Sequence, residues 1–210
     1  MALLGSTDVI RRACSTIWLL GWQGPARKLS KAVLKEISKT IRLIRFTVFE
    51  NFYTRDGSRG IDADEELMPL LMRLEAPRKE VEFWGMSFPE QPASWFVETM
   101  LRYRQHLGTF TSVEFYSVAS SSYTQLLEVM VPIGKLQSIL ILARLAKTQL
   151  PASFWVDYFF SESCTRLFAY FDDFDVVLGV INRWKQMDPR TLTPYKVFDG
   201  IEATADDLAS

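Results

Sequence analysis

Apolar residues along this chain gather in short runs separated by longer polar stretches, and the runs recur at a nearly constant spacing. Residues 41–46, 81–84, 113–116, 139–142, 167–170 and 197–198 have the alternating or continuous apolar content of β-strands. From Val81 onward the first residues of these runs are 32, 26, 28 and 30 apart, a mean of 29. A second measure agrees. Pro92-Ala93-Ser94-Trp95-Phe96-Val97-Glu98 returns as Pro151-Ala152-Ser153-Phe154-Trp155-Val156-Asp157, an offset of 59 residues, or two periods.

Between the strands lie helix signals with the same period. Residues 62–74 place Leu67, Leu70, Leu71 and Leu74 at helical spacing behind acidic residues. Pro92 and Ser94 open a second helix, whose apolar face is Phe96, Val97, Met100, Leu101 and Leu107 and whose expected C-cap is Gly108. Residues 123–131 form a shorter candidate, and Pro151 and Ser153 open the next. Val176, Val177, Val180, Ile181 and Trp184 make the last apolar face, with Asp172, Asp173 and Asp175 at its start. One strand and one helix in every ~29 residues is too little to bury both elements within a unit, so each unit must lean on its neighbours. The pattern predicts an α/β solenoid over residues 41–200, with a parallel sheet on one side and helices on the other. A helical N-terminal cap is expected over 1–40, with Cys14 in an amphipathic helix, and an acidic tail over 201–210.

The L-x-x-L-x-L frame of the leucine-rich-repeat family is visible as Ile41-x-x-Ile44-x-Phe46, Phe110-x-x-Val113-x-Phe115, Leu136-x-x-Ile139-x-Ile141 and Cys164-x-x-Leu167-x-Ala169. Arg78 and Pro194 break it around Val81 and Val197. The chain thus resembles a degenerate, long-repeat form of that family. With the stretch Ile181-Asn182-Arg183-Trp184-Lys185-Gln186-Met187-Asp188-Pro189-Arg190, it also resembles the divergent nematode proteins in which an F-box precedes irregular leucine-rich-like repeats. That resemblance implies an F-box remnant within residues 7–40, a Skp-type adaptor held by the N-terminal helices, and the role of substrate receptor in a ubiquitin ligase.

Composition narrows the function classes. Hydrophobic residues make up 48% of the 210 positions and aromatics 13%, enough for a core, which excludes a wholly disordered chain. A net charge of −1 argues against a general nucleic-acid binder. That charge is uneven: nine basic and three acidic residues give +6 over residues 1–50, and the remainder carries −7. The basic N-terminal region suits either an acidic partner or a solvated helix face. Two Cys and one His exclude a disulfide framework and a four-ligand Cys/His zinc site. Arg11 and Arg12 interrupt the one apolar stretch near the start, so neither an export signal nor a membrane span is expected. Cys14 and Cys164, with no nearby partner, fit a reducing intracellular location.

No catalytic constellation emerges, and no cofactor or metal is expected. His106 stands alone near a predicted helix end, and Cys164 falls at a buried frame position. Residues 56–60 lack the spacing and the Lys of a phosphate loop and read as a polar turn. The acids 172, 173 and 175 suit a helix start better than a cation site.

The displayed surface is more informative. Alternate strand residues face opposite sides. If Val81, Phe83, Val113, Phe115, Ile139, Ile141, Leu167 and Ala169 point into the core, the concave face displays Glu82, Trp84, Glu114, Tyr116, Leu140, Leu142, Phe168 and Tyr170, extended by Arg45 and Thr47. Trp84, Tyr116, Leu142 and Tyr170 are expected to form one exposed stripe. An aromatic-rich patch of this kind predicts a protein-binding face. The alternatives are a cover supplied by the chain itself, a register slipped by one residue, or an enzyme with an unrecognised site.

Overall fold

The computed structural model describes residues 2–4, 13–20, 32, 41–50, 67–84, 94–116, 121–145, 150–171, 174–191 and 195–200. The β-branched and aromatic runs become strands β3 (Leu43–Glu50), β4 (Arg78–Trp84), β5 (Ser112–Phe115), β6 (Ser138–Leu145), β7 (Arg166–Phe171) and β8 (Val197–Asp199). Helices α1 (Leu67–Arg73), α2 (Ser94–Arg102), α3 (Ser121–Met130), α4 (Ala152–Phe160) and α5 (Phe174–Gln186) alternate with them. The six strands pair side by side in chain order and all run parallel, which makes this an α/β fold.

The expected helical cap is corrected over residues 2–4 and 13–20. Ala2–Leu4 and Ala13–Leu20 are strands β1 and β2, and Cys14 lies in β2 rather than in a helix. β2 pairs antiparallel with β3, and β1 with β2. The cause is local composition combined with an available edge. Ser15, Thr16, Ile17 and Trp18 favour extended backbone, and β3 presents a row of peptide groups that β2 can satisfy. The acidic tail, the turn at 56–60, Pro92 and the acids 172 and 173 lie outside the described residues; Asp175 stands in the first turn of α5, as expected.

One face of the parallel sheet is apolar from strand to strand. Phe46, Val81, Val113, Ile139, Leu167 and Phe198 occupy one register row, with Phe83, Phe115, Ile141 and Ala169 in the next. Those eight inward residues of β4 to β7 are buried, so the strand register is the expected one. The helices cover this face. Tyr123 of α3 sets its ring 5.0 Å from that of Phe83 and 4.9 Å from that of Phe115. Val97 and Met100 of α2, Trp155 and Tyr158 of α4, and Val176 and Val180 of α5 join the same cluster. Each such burial stabilises the fold by about 1.5–3 kcal/mol.

Phe110, Leu136 and Cys164, the opening positions of three frames, are all buried. Ahead of each strand a backbone ladder extends the pairing: Thr111 donates to Lys79, Gln137 to Thr111, Thr165 to Gln137 and Val197 to Thr165. Pro151, extended at φ −64° and ψ 153°, is the N-cap of α4. Gly108 is not a left-handed cap. It lies in a 3-10 turn, Arg104–Thr109, where a Cβ would come within 2.5 Å of Ile133 Cγ2. A larger residue there would push against the Ile133 side chain, so close approach rather than dihedral freedom favours the glycine.

Two lysines close helix ends from inside. Lys79 Nζ donates to the carbonyls of Met72 (2.6 Å) and Leu74 (3.1 Å) at the end of α1 and to Thr109 Oγ1 (3.0 Å). It also lies 4.8 Å from the Phe110 ring centroid. Lys196 Nζ donates in the same way to the carbonyls of Phe159 and Ser161 at the end of α4. These carbonyls have no partner within their own helices, and a cation suits the negative end of the dipole. Burial lowers the Lys79 pKa to about 8, with the Glu75 charge pulling the other way.

Candidate functional site

The face of the sheet away from the helices carries the alternate residues, and strand register arranges them in rows. Arg45, Glu80, Ser112, Ser138, Arg166 and Val197 form one row. Thr47, Glu82, Glu114, Leu140, Phe168 and Asp199 form the next. Trp84 and Tyr116 stand beyond it, their rings stacked with centroids 3.6 Å apart and planes 14° from parallel.

Over β3 to β5 these residues are tied to one another. Arg45 donates to Glu80 Oε2 from Nε (2.9 Å) and Nη2 (2.7 Å), and its Nε lies 3.0 Å from Glu82 Oε1. Arg78 Nη2 donates to the other Glu80 oxygen at 2.5 Å. Glu82 Oε2 accepts from Trp84 Nε1 at 3.2 Å and from Thr47 Oγ1 at 3.5 Å. Tyr116 Oη donates to Glu114 Oε2 at 3.0 Å. Both rings of the stack are thus held by their polar tips on carboxylates of the row below. Such charge-assisted bonds are stronger than neutral ones and hold side chains in one geometry.

This geometry alters several expectations. Glu82, expected on the surface, is buried at 6% exposure, and Thr47 is buried with it. The indole above and the Arg45 guanidinium beside it take the place of water. Trp84 is exposed at 41%, while Arg45, Glu114 and Tyr116 are half-buried. Glu80 and Arg78 were missed, although alternation from Glu82 through Glu80 to Arg78 assigns all three to one face. Arg78 is also the residue that breaks the repeat frame around Val81.

Over β6 and β7 the face turns apolar beyond Ser138 and Arg166. Leu140, Phe168 and Tyr170 are half-buried, and Leu142 is exposed at 37%. Phe168 and Tyr170 meet edge to face at 5.2 Å. The stripe from Leu142 to Tyr170 is corrected. A bulge follows Ile141, so the register passes from Ile141 opposite Ala169 to Arg144 opposite Tyr170. The extra residues on β6 shift everything beyond the bulge, and Leu142 is no longer the cross-strand partner of Tyr170.

The electrostatics follow from burial. Burial raises the Glu114 pKa, and the charges of Glu82 and Glu80 add to it, while the Tyr116 bond and Arg45 oppose. Tyr116 is pushed up to about 12, first by burial and then by Glu114. Burial alone would lower the Arg45 pKa; the hydrogen bond to Glu80 and the charges of Glu82, Glu80 and Glu114 outweigh it and raise it.

His106 is half-buried in the 3-10 turn, its pKa lowered by burial and by Arg73 and Lys79. Cys164 is buried and its pKa is raised, also by burial, which makes it a poor nucleophile. Among the described residues no group of three His, Cys, Asp or Glu could hold a metal ion, and no helix is long and apolar enough to cross a membrane. No protein-family model, no curated protein and no solved structure matches the chain.

Proposed function

We propose that the chain is a protein-binding module built as an αβ solenoid of the leucine-rich-repeat type, with the face of its sheet opposite α1 to α5 holding a target protein. The strict chain-order pairing of β3 to β8, with a helix after every strand from β3 to β7, supports the repeat architecture. The observation that carries the binding reading is the Trp84–Tyr116 stack. Two aromatic rings, one exposed, are locked by hydrogen bonds to carboxylates beneath them, so little side-chain entropy is left to lose when a partner covers them. The finer form of the reading, a substrate receptor of an F-box-type ubiquitin ligase with a Skp-type adaptor at the N-terminus, is carried by the sequence resemblance. Its required helices do not include Ala13–Leu20, which is strand.

The test is the double variant Trp84→Ala/Tyr116→Ala. Partners of the intact chain are captured, identified by mass spectrometry and purified, and their affinities for the intact chain and the variant are compared. The variant is expected to keep its circular dichroism spectrum and to lose ~2 kcal/mol or more per anchor, the range for aromatic hot spots. A variant that stays folded and binds every partner with unchanged affinity removes the stack from the interface.

A further inference from the structure

Rows of the open face carry more negative than positive charge at one point. Among the described side chains around the stack, Glu80, Glu82 and Glu114 face two guanidiniums, those of Arg45 and Arg78. Arg78 binds Glu80, and Arg45 bridges Glu80 and Glu82. Farther along, Arg166 lies 3.7 Å from Asp199 and serves that carboxylate. Glu114 is left with the Tyr116 hydroxyl as its described hydrogen-bond partner, a neutral donor. It is half-buried beside two other carboxylates, and its other neighbour in the row is Leu140. The ion-paired and apolar halves of the face therefore meet at a carboxylate that makes no salt bridge among the described side chains and feels the Arg45 charge only at longer range.

We infer that the segment docking on this face carries a Lys or Arg whose charged end reaches Glu114, with an apolar side chain about three residues away resting on Phe168. This rests on the protein-binding reading above and specifies the partner. Charge complementarity supplies the cation. The aliphatic stem of a long basic side chain suits the apolar flank formed by the Tyr116 ring and Leu140. Spacing supplies the rest. Glu114, Leu140 and Phe168 lie on β5, β6 and β7 in one register row, so with strands ~4.8 Å apart the outer two are about 10 Å apart. An extended peptide crossing the strands at ~3.3 Å per residue covers that distance in about three residues.

Pools of synthetic decapeptides test it, each with a fixed Arg and a fixed Leu three residues on, and uncharged degenerate positions elsewhere. Matched pools carry Glu or norleucine in place of Arg. Binding to the full chain is read by fluorescence anisotropy. The Arg pool is expected to bind at least ~10-fold tighter than the norleucine pool, the scale of one charge-assisted hydrogen bond, and the Glu pool weakest. Glu114→Gln retains an oxygen for the Tyr116 hydroxyl and should stay folded by circular dichroism while bringing the Arg and norleucine pools to within ~2-fold. Equal binding of all pools, or an Arg preference that survives Glu114→Gln, overturns the inference and leaves the docking face standing. Binding of no pool to the intact chain overturns both.

Discussion

The two halves of the open face are built on one parallel sheet, yet they hold their side chains by different means. Over β3 to β5 most outward residues are charged or aromatic and bound to one another: Arg45 spans two strands, Glu82 accepts from three side chains, and two rings stand on carboxylates. Over β6 and β7, beyond Ser138 and Arg166, the outward residues are Leu140, Leu142, Phe168 and Tyr170, held by packing, and a bulge breaks their alignment. The helix-covered face shows no such division, because every strand must offer apolar side chains to the same core. Where a face is not needed to hold the fold together, its chemistry can differ from strand to strand. The change at β5 and β6 is therefore a better guide to use than the core is.

The comparison can be broken first from the covered side. Phe115 is fully buried between its stacking partner Phe83 and Tyr123, so Phe115→Ala is expected to cost about 3–5 kcal/mol in urea unfolding. An unchanged midpoint would place that ring outside the core and invert the two faces.

Lys79 comes next, because it holds α1 to the 3-10 turn from within the apolar layer. Lys79→Met removes a buried charge but leaves the carbonyls of Met72 and Leu74 without their donor, a loss of about 2–3 kcal/mol at neutral pH. The cost should depend on pH. The amine sits at about 8 in the folded chain against 10.5 when exposed. Below pH 8 both folded and unfolded chains keep the proton, and burying the charge weighs fully against the fold. From pH 8 to 10.5 the folded amine loses its proton first, and stability rises. The difference between wild type and variant should therefore widen by about 1–3 kcal/mol between pH 7 and pH 10. A difference that is flat across this range would mean that the amine keeps an ordinary pKa.

The smallest effects separate the two halves directly. Glu82→Ala removes one partner each from Arg45, Thr47 and Trp84, at a cost of about 2 kcal/mol. Leu140→Ser, on the half-buried apolar side, should cost ~1 kcal/mol or less. Equal losses in thermal unfolding would show that the halves do not differ in how tightly they are built.

Most strand positions were legible because the signal is local. Val81, Val113, Ile139 and Leu167 each open a run whose alternate residues must be apolar to face the helices, and the spacing of the runs marks the units. The N-terminal strands were not legible in the same way. The sequence ACSTIWLL suits helix or strand, and the choice fell to pairing with β3, a partner more than twenty residues away. The Gly108 and Leu142 expectations failed for a related reason. A close approach to Ile133 and a bulge on β6 both depend on what lies across the gap.

The sequence by itself determined which residues face the core, how often strands and helices alternate, and that aromatic and acidic side chains share the opposite face. It could do so because burial of one face imposes a period on the chain that bore it. Only the tertiary structure decided that Glu82 is buried while Trp84 is exposed, that Glu80 and Arg78 belong to the same network, and that Glu114 makes no salt bridge among the described side chains. Ion pairs and ring stacks are made between neighbouring strands, and which groups meet is set by register and side-chain reach, neither of which is written in the pattern of a single strand.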